Sequence, residues 1–174
     1  AVQGPNSRDK LQEVFSFNLE DLEFYHCKEI TIKNSTLFVA RTGYTGELGF
    51  EILGDSVIVN ELWDTMISYK VSPAGLAARD ILRIEMGYCL YGHEIDESRN
   101  PIDAGLNWIL SPKTKFIGSE AIHSDGRKQN KIIFIKMIDR GIPRQGCDIF
   151  QEENKIGSIS SGTFSYCLNT GVGI

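Results

Sequence analysis

The stretch "EITIKNSTLFVARTGYTGELGFEIL", residues 29–53, determines the fold class that the sequence predicts. Residues 29–40 are two runs of strand-forming residues around the turn letters "KNS", which predicts two strands joined by a tight turn. The letters "GFEIL" at 49–53 predict a third strand. The loop "RTGYTGELG" therefore joins two strands, and its glycines permit either positive φ or a close approach of neighbouring groups.

Two helices are predicted directly after this segment. Residues 55–69 carry two apolar series at i, i+4 spacing, the pattern of a helix that buries one face. The two series are Ile58, Leu62 and Met66, and Val59, Trp63 and Ile67. Residues 74–86 predict the second helix, with Ser72 as its N-cap and Gly87 at its end.

The remaining segments predict shorter elements. Residues 8–15 predict a short helix capped by Ser7, and residues 119–131 predict a helix followed by a linker. Further strands are expected in "IIFIKMI", "CDIFQEENKIGSIS" and "LNTGVGI", with "EEN" as a tight turn. The letters "SSGTFS", residues 160–165, are interpreted as a polar turn. The chain is thus predicted to be an α+β protein, with a domain boundary near residues 112–130.

The composition limits the classes of function. A length of 174 residues suffices for one domain of usual size or two small ones. The excess of 23 acidic over 18 basic residues leaves a net charge of −5, which argues against a nucleic-acid partner. No apolar run approaches the roughly 20 residues of a membrane helix, so we expect no membrane partner. The four cysteines form no C-x-x-C pair, so we expect no zinc or redox motif and a reducing compartment.

The loop and the strand that follows it contain two candidate binding residues. Strand alternation places Phe50 and Ile52 on one face and Glu51 on the other. If the first two face the core, Glu51 points either to solvent or into a cleft. Tyr44, which lies between glycines, would offer an accessible ring for a flat ligand, although exposed loop tyrosines often have no such role.

Charged residues in the second helix and in the loop after it allow two interpretations each. Arg79 could belong to a structural ion-pair network, or it could bind a planar carboxylate through two parallel hydrogen bonds. Asp80 could pair with Arg83, three residues further on. Residues 93–97, one histidine with three acids, could hold a metal, but such a loop is more often solvated, and we predict no metal site.

Three blocks of this sequence carry a family resemblance. "RTGYTGELGFEI", "GLAARDILRIEMGYCLYGHEIDESRNPIDAGLNWIL" and "GIPRQGCDIF…IGSISSGTFS" resemble the T-protein of the glycine cleavage system, the tetrahydrofolate-dependent aminomethyltransferase family. The resemblance extends over nearly the whole chain. It implies an antiparallel sheet with packed helices, followed by part of a C-terminal β-barrel-like domain. It also implies a division into residues 1–118 (folate-binding part), 119–130 (helix and linker) and 131–174 (incomplete C-terminal domain).

The resemblance also implies an activity and a set of site residues. In this family an aminomethyl group on the lipoyl arm of the H-protein is transferred to tetrahydrofolate, with release of ammonia. Tyr44, Glu51, Arg79 and Trp108 match positions that contact folate, and Arg144 in "GIPRQG" is a weaker candidate. No metal is implied.

The family's key aspartate lies upstream of the "QGP" segment at which this chain begins. We therefore expect sequence to be missing at both ends, no catalytic residue within these 174 residues, and no activity of the isolated chain. The resemblance further implies the bacterial cytoplasm or the mitochondrial matrix as the compartment.

Two alternatives within the same fold remain open. One is a folate-binding relative that supports iron–sulfur protein maturation. Such relatives carry the motif "KGCYxGQE", whereas residues 41–47 contain no cysteine. The other is a folate-linked demethylase, or the folate domain of a dimethylglycine- or sarcosine-type dehydrogenase, which an upstream flavin domain would favour.

Overall fold

The computed structural model describes residues 1–124 and 130–174. The chain divides into two compact units, Ala1–Leu82 and Arg83–Ile174. In the described part of the chain, no helix is long and apolar enough to cross a membrane.

The first unit is built on a four-stranded antiparallel sheet with the strand order β1-β4-β3-β2. The predicted hairpin is confirmed, because β2 and β3 pair along their whole length around a two-residue turn. Lys33 and Asn34 form that turn with φ values of 49° and 68°, the left-handed geometry that tight hairpins favour. The strands are β1 (Val2–Gln3), β2 (Cys27–Ile32), β3 (Ser35–Ala40) and β4 (Gly49–Gly54).

The two faces of β4 differ as the alternation predicted. Phe50 is fully buried and Ile52 packs against the same core, whereas Leu53 on the opposite face is 60% exposed. Glu51 lies opposite Ala40 of β3 and shares the face of Leu53. The core of this unit is therefore on the Phe50 side of the sheet, and the Glu51 carboxylate is directed away from it.

Helix α2 (Ser56–Ser68) confirms the helix predicted over residues 55–69. Its residues at i, i+4 spacing, Ile58, Leu62 and Met66, are buried. The neighbouring series is less covered, since Trp63 is 54% exposed. One of the two apolar series therefore forms the core contact of this helix.

Helix α1 (Ser7–Gln12) is shorter than the helix predicted over residues 8–15. The Gln12 side chain accounts for its end, because Nε2 donates to the carbonyls of Phe15 and Phe17, each at 2.9 Å. These bonds tie the segment that follows the helix to the Gln12 side chain. The cap assignment was wrong as well, since Asn6 occupies the N-cap and the buried Ser7 donates to the carbonyl of Leu48 at 3.0 Å.

Helix α3 (Leu76–Glu85) confirms the second predicted helix, although it begins two residues later than the predicted start, so Ser72 is not its N-cap. The chain then reaches Gly87, whose φ is 71°. A side chain at Gly87 would also overlap the ring of Phe134. The glycine predicted to end the helix is thus required by both its backbone angle and its neighbour.

The second unit contains helix α4, a three-stranded antiparallel sheet with the order β5-β9-β8, and the pair β6-β7. The interpretation of residues 160–165 as a turn was wrong for residues 162–165, because β8 pairs with β9 there. This strand position, Gly162, is a glycine because a Cβ here would lie 2.8 Å from the carbonyl carbon of Pro143, so the two backbones approach closely. The elements are α4 (Ser119–Ser124), β5 (Ile135–Lys136), β6 (Asp148–Gln151), β7 (Asn154–Ser158), β8 (Gly162–Ser165) and β9 (Thr170–Gly173).

The predicted α+β class with antiparallel sheets and packed helices is confirmed. The strand expected over residues 132–138 is limited to β5, and "EEN" forms the tight β6–β7 turn. No closed barrel forms within residues 1–124 and 130–174. The domain boundary predicted near residues 112–130 and the division into 1–118, 119–130 and 131–174 stay predictions, and residues 125–129 lie outside the described part of the chain.

Candidate functional site

The carboxylate of Glu51 is held at the base of the loop between β3 and β4. Oγ1 of Thr42 donates to Oε2 of Glu51 at 2.5 Å, a short charge-assisted hydrogen bond. The side chain is half-buried, and Oε1 has no hydrogen-bond partner among the residues that the structure describes. Glu51 is therefore oriented by the protein while it keeps an oxygen that can accept from a ligand. No sequence pattern identifies Thr42, because its role depends on a partner nine residues further along the chain.

Tyr44 and Arg79, two of the predicted site residues, are brought together. The guanidinium carbon of Arg79 lies 4.8 Å from the centroid of the Tyr44 ring, which is cation–π geometry. Arg79 lies in the first turn of α3 and is exposed, while Tyr44 is half-buried. The loop and the helix thus present an aromatic ring and a cation side by side.

The shape of the loop depends on a glycine and a threonine. Gly46 has a φ of 79°, which an L-residue with a side chain rarely adopts. Oγ1 of Thr45 accepts the backbone N–H of Glu47 at 3.3 Å, which closes the turn. A cavity of about 540 Å³ in this unit is lined mainly by apolar side chains, and Thr45 and Arg79 also border it. The loop therefore adjoins space of the size of a small ligand.

Trp108 and Arg144 lie in the second unit. Trp108 belongs to a short 3₁₀ helix (Asn107–Ile109) and is 72% exposed. Arg144 is exposed in the segment before β6. Their assignment to a folate site stays a prediction.

A second polar cluster lies within the Arg83–Ile174 unit, and it corrects the interpretation of the acidic loop as solvated for Glu94, whereas Glu97 is exposed. Glu94 is 2% exposed and Arg83 is 1% exposed. Nη1 of Arg83 donates to Oε2 of Glu94 at 3.0 Å, and the backbone N–H of Leu90 donates to the same oxygen at 3.0 Å. Oγ of Ser160 donates to Oε1 at 2.5 Å. Both carboxylate oxygens are therefore satisfied inside the protein.

This cluster shifts the pKa of Glu94 below its ordinary value. Burial by itself raises the pKa of this carboxyl, but the hydroxyls of Ser160 and Ser161, the Leu90 N–H and the charge of Arg83 together outweigh it. The group is therefore ionised at neutral pH in spite of its burial.

Two further residues complete the cluster. Nη2 of Arg83 donates to Oγ of Ser161 at 2.7 Å. Nδ1 of His93 lies 3.0 Å from the carbonyl oxygen of Ser160, so this nitrogen is the donor. His93 is thereby used in a contact within the protein. No group of three or more His, Cys, Asp or Glu residues that could hold a metal occurs in residues 1–124 and 130–174.

The fold and the loop define an α+β protein whose candidate ligand site is formed by a strand connection and the start of a helix. A family model described as "GCVT N-terminal domain" matches residues 1–114. The chain belongs to this family.

Curated relatives agree with this assignment. The chain is 41% identical to an aminomethyltransferase of Halothermothrix orenii and 37% identical to one of Thermosipho melanesiensis; all of this chain is covered, against 51% and 49% of those proteins. Among solved structures, the glycine cleavage system aminomethyltransferase T from Bartonella henselae matches with a TM-score of 0.87 and 32% identity. That match covers 98% of this chain and 48% of the other. The chain thus spans about half the length of the proteins that it matches.

Proposed function

We propose that this chain is the folate-binding part of an aminomethyltransferase of the glycine cleavage system. The observation that carries the proposal is the Glu51 carboxylate, which Thr42 orients through one oxygen while the other can accept from a ligand. The names of the related proteins support the reaction class. The cosubstrate is tetrahydrofolate, and the partner is the lipoylated H-protein. The compartment is the bacterial cytoplasm or the mitochondrial matrix.

The chemistry of folate fits the residues on the loop. The amino-pyrimidinone edge of a pterin is rich in N–H donors, and a carboxylate such as that of Glu51 is a natural acceptor for them. The flat ring system can pack on an aromatic ring such as that of Tyr44. The anionic glutamate tail of folate suits an arginine, for which Arg79 and Arg144 are the candidates, and Trp108 is a further candidate for ring packing.

The transfer itself balances without an additional reactant. The methylene carbon loses its bonds to the lipoyl sulfur and to the amine nitrogen, and it gains bonds to N5 and N10 of tetrahydrofolate. The two protons that leave these folate nitrogens balance the thiol and the ammonia that are released. The residues of this chain would contribute by holding N5 in position and by electrostatic support of an iminium-like carbon.

The proposal is tested by assaying the full-length gene product with aminomethylated H-protein and tetrahydrofolate. We expect formation of 5,10-methylenetetrahydrofolate together with ammonia. A folded protein that binds neither substrate, or that binds both without turnover, would contradict the proposal. Because the chain spans about half the length of its relatives, we expect isothermal calorimetry with tetrahydrofolate to give weak or no binding by the 174 residues alone and measurable binding by the full-length gene product.

The role of Glu51 is tested separately by the Glu51→Ala variant. We expect its affinity for tetrahydrofolate to fall by at least about tenfold, because a charged hydrogen bond is lost. The matched control is Glu47→Ala, which removes an exposed carboxylate from the same loop and should leave the affinity unchanged. If the Glu51→Ala variant binds tetrahydrofolate as tightly as the unmodified protein, Glu51 is not part of the binding site.

A further inference from the structure

The side chain of Gln3 is inserted between the two ends of the loop that carries Tyr44. Its Nε2 donates to the carbonyl oxygen of Thr42 at 3.2 Å and to that of Phe50 at 3.3 Å. Its Oε1 accepts from Oγ1 of Thr45 at 3.4 Å. One amide group therefore connects the beginning of the loop, its middle and the strand after it.

Two glycines of the loop leave the space that this amide occupies. A Cβ at Gly43 would lie 2.9 Å from Cδ of Gln3, and a Cβ at Gly49 would overlap the same amide group. Neither glycine has its φ in the left-handed region, in contrast to Gly46. Gly43 and Gly49 are thus required by the position of the Gln3 side chain and by no backbone angle of their own.

The two carbonyls that Gln3 binds are next to the candidate folate-binding carboxylate. Thr42 supplies one carbonyl from its backbone, and its hydroxyl is the donor to Glu51. Phe50, which supplies the other carbonyl, immediately precedes Glu51. The Gln3 amide therefore sets the distance between the two chain segments whose side chains meet in the Thr42–Glu51 hydrogen bond.

We propose that Gln3 is a positioning residue for Glu51, and that Gly43 and Gly49 are present to admit its side chain. This inference rests on the proposed function, since Glu51 has to contact folate for its orientation to matter. Gln3 itself does not contact the ligand. It acts by fixing the direction of the Glu51 carboxylate, so its removal lowers the affinity for tetrahydrofolate through Glu51.

The test is a double-mutant cycle on the full-length gene product, with the dissociation constant of tetrahydrofolate as its readout. We expect Gln3→Ala to weaken binding by about tenfold in the unmodified background, in the range of a lost charged hydrogen bond. In the Glu51→Ala background the same change should have no further effect on affinity. A merely structural role would lower the melting temperature equally in both backgrounds and would weaken binding by the same factor in both.

A second cycle tests the role of the glycines. Gly49→Ala should weaken binding by itself, because the added methyl group displaces the Gln3 amide. The combination of Gln3→Ala and Gly49→Ala should bind no more weakly than Gln3→Ala alone, because the space is then free. If the two substitutions weaken binding independently, so that their factors in the dissociation constant multiply, the proposed packing is wrong.

Two further variants serve as a substitute for Gln3→Ala and as a control. Gln3→Met retains the length of the side chain without its donors, and it replaces Gln3→Ala in both cycles if that variant does not fold. Ser7→Ala is the matched control, since it removes another hydrogen bond to this region, to the carbonyl of Leu48, and should leave the affinity unchanged.

The outcomes separate this inference from the proposed function. If Glu51→Ala weakens binding while both Gln3 variants bind normally, the folate site is retained and the proposed role of Gln3 is wrong. Normal binding by the Glu51→Ala variant overturns both the assignment of Glu51 and the inference that depends on it.

Discussion

Glu51 and Glu94 are glutamates in two polar, glycine-containing parts of the chain, and their environments differ. Glu51 is half-buried and receives one hydrogen bond, from the hydroxyl of Thr42. Glu94 is 2% exposed and receives hydrogen bonds on both oxygens, one of them from the guanidinium of Arg83. The Glu51 carboxylate is oriented but accepts a hydrogen bond on one oxygen only, whereas both oxygens of Glu94 accept hydrogen bonds within the protein.

The difference shows how the same residue type serves two purposes. A buried carboxylate without partners would be costly, so a fully satisfied one such as Glu94 is expected to maintain the structure. A partly exposed carboxylate with an available oxygen costs little in the absence of a ligand and can bind one. On this basis Glu94 should matter for stability, and Glu51 should matter for binding.

The largest expected effect is on stability. Glu94→Ala leaves the Arg83 charge buried without its partner, so the free energy of unfolding should fall by about 3–5 kcal/mol. Chemical denaturation monitored by circular dichroism measures this change. Glu97→Ala removes an exposed carboxylate from the same loop. The free energy of unfolding of this variant should stay within about 0.5 kcal/mol of that of the unmodified protein. A loss from Glu51→Ala as large as that from Glu94→Ala would contradict the proposed division of roles.

A smaller effect is expected on the pH dependence of stability. The pKa of Glu94 is lowered on folding from its ordinary value of 4.5, so the folded state binds this proton less readily than the unfolded state. The resulting stabilisation is fully present above about pH 5, and it is lost as the pH falls below 4.5 and through the pKa of the folded state. Denaturation series at several pH values should show this loss. Glu94→Gln should flatten the acid limb, and an unchanged limb would contradict the assignment.

The smallest expected effect concerns the reactivity of Cys89. Burial and the charge of Glu94 raise the pKa of this thiol, while Arg83 lowers it, and the net shift is upward. Cys89 should therefore react more slowly with iodoacetamide at neutral pH than the exposed Cys27 and Cys147, as measured by mass spectrometry of labelled peptides. Glu94→Ala should accelerate labelling of Cys89 relative to Cys27. Equal rates at all three thiols in the unmodified protein would show that the region around Glu94 is open.

Sequence patterns correctly predicted the elements that depend on residues close to one another in the sequence. The "KNS" hairpin and helix α2 follow from turn chemistry and apolar spacing, because residues close in the sequence determine both. The alternation also correctly placed Phe50 and Glu51 on opposite faces of the strand, and the structure shows that the Phe50 face is the core face. The contact of Tyr44 with Arg79, by contrast, joins residues on different elements, and no local pattern predicts it.

The errors occurred where distant contacts decide the structure. Gln12 binds carbonyls beyond the end of α1, and residues 162–165 form a strand because β9 is available as a partner. Glu94 was interpreted as solvated because its neighbours in the sequence are polar. Its partner Ser160 is 66 residues away, and a sequence pattern contains no information about such a distance.

The amino-acid sequence by itself determined the α+β class, the hairpin, the amphipathic helix and the family, since these depend on local periodicity and on motifs of consecutive residues. Only the tertiary structure decided that both oxygens of Glu94 are hydrogen-bonded while one oxygen of Glu51 remains available. It also decided why residues 43 and 49 are glycines. The physical reason is that burial, ion pairing and the filling of space by the Gln3 side chain depend on groups that the folding of the chain brings together from distant positions.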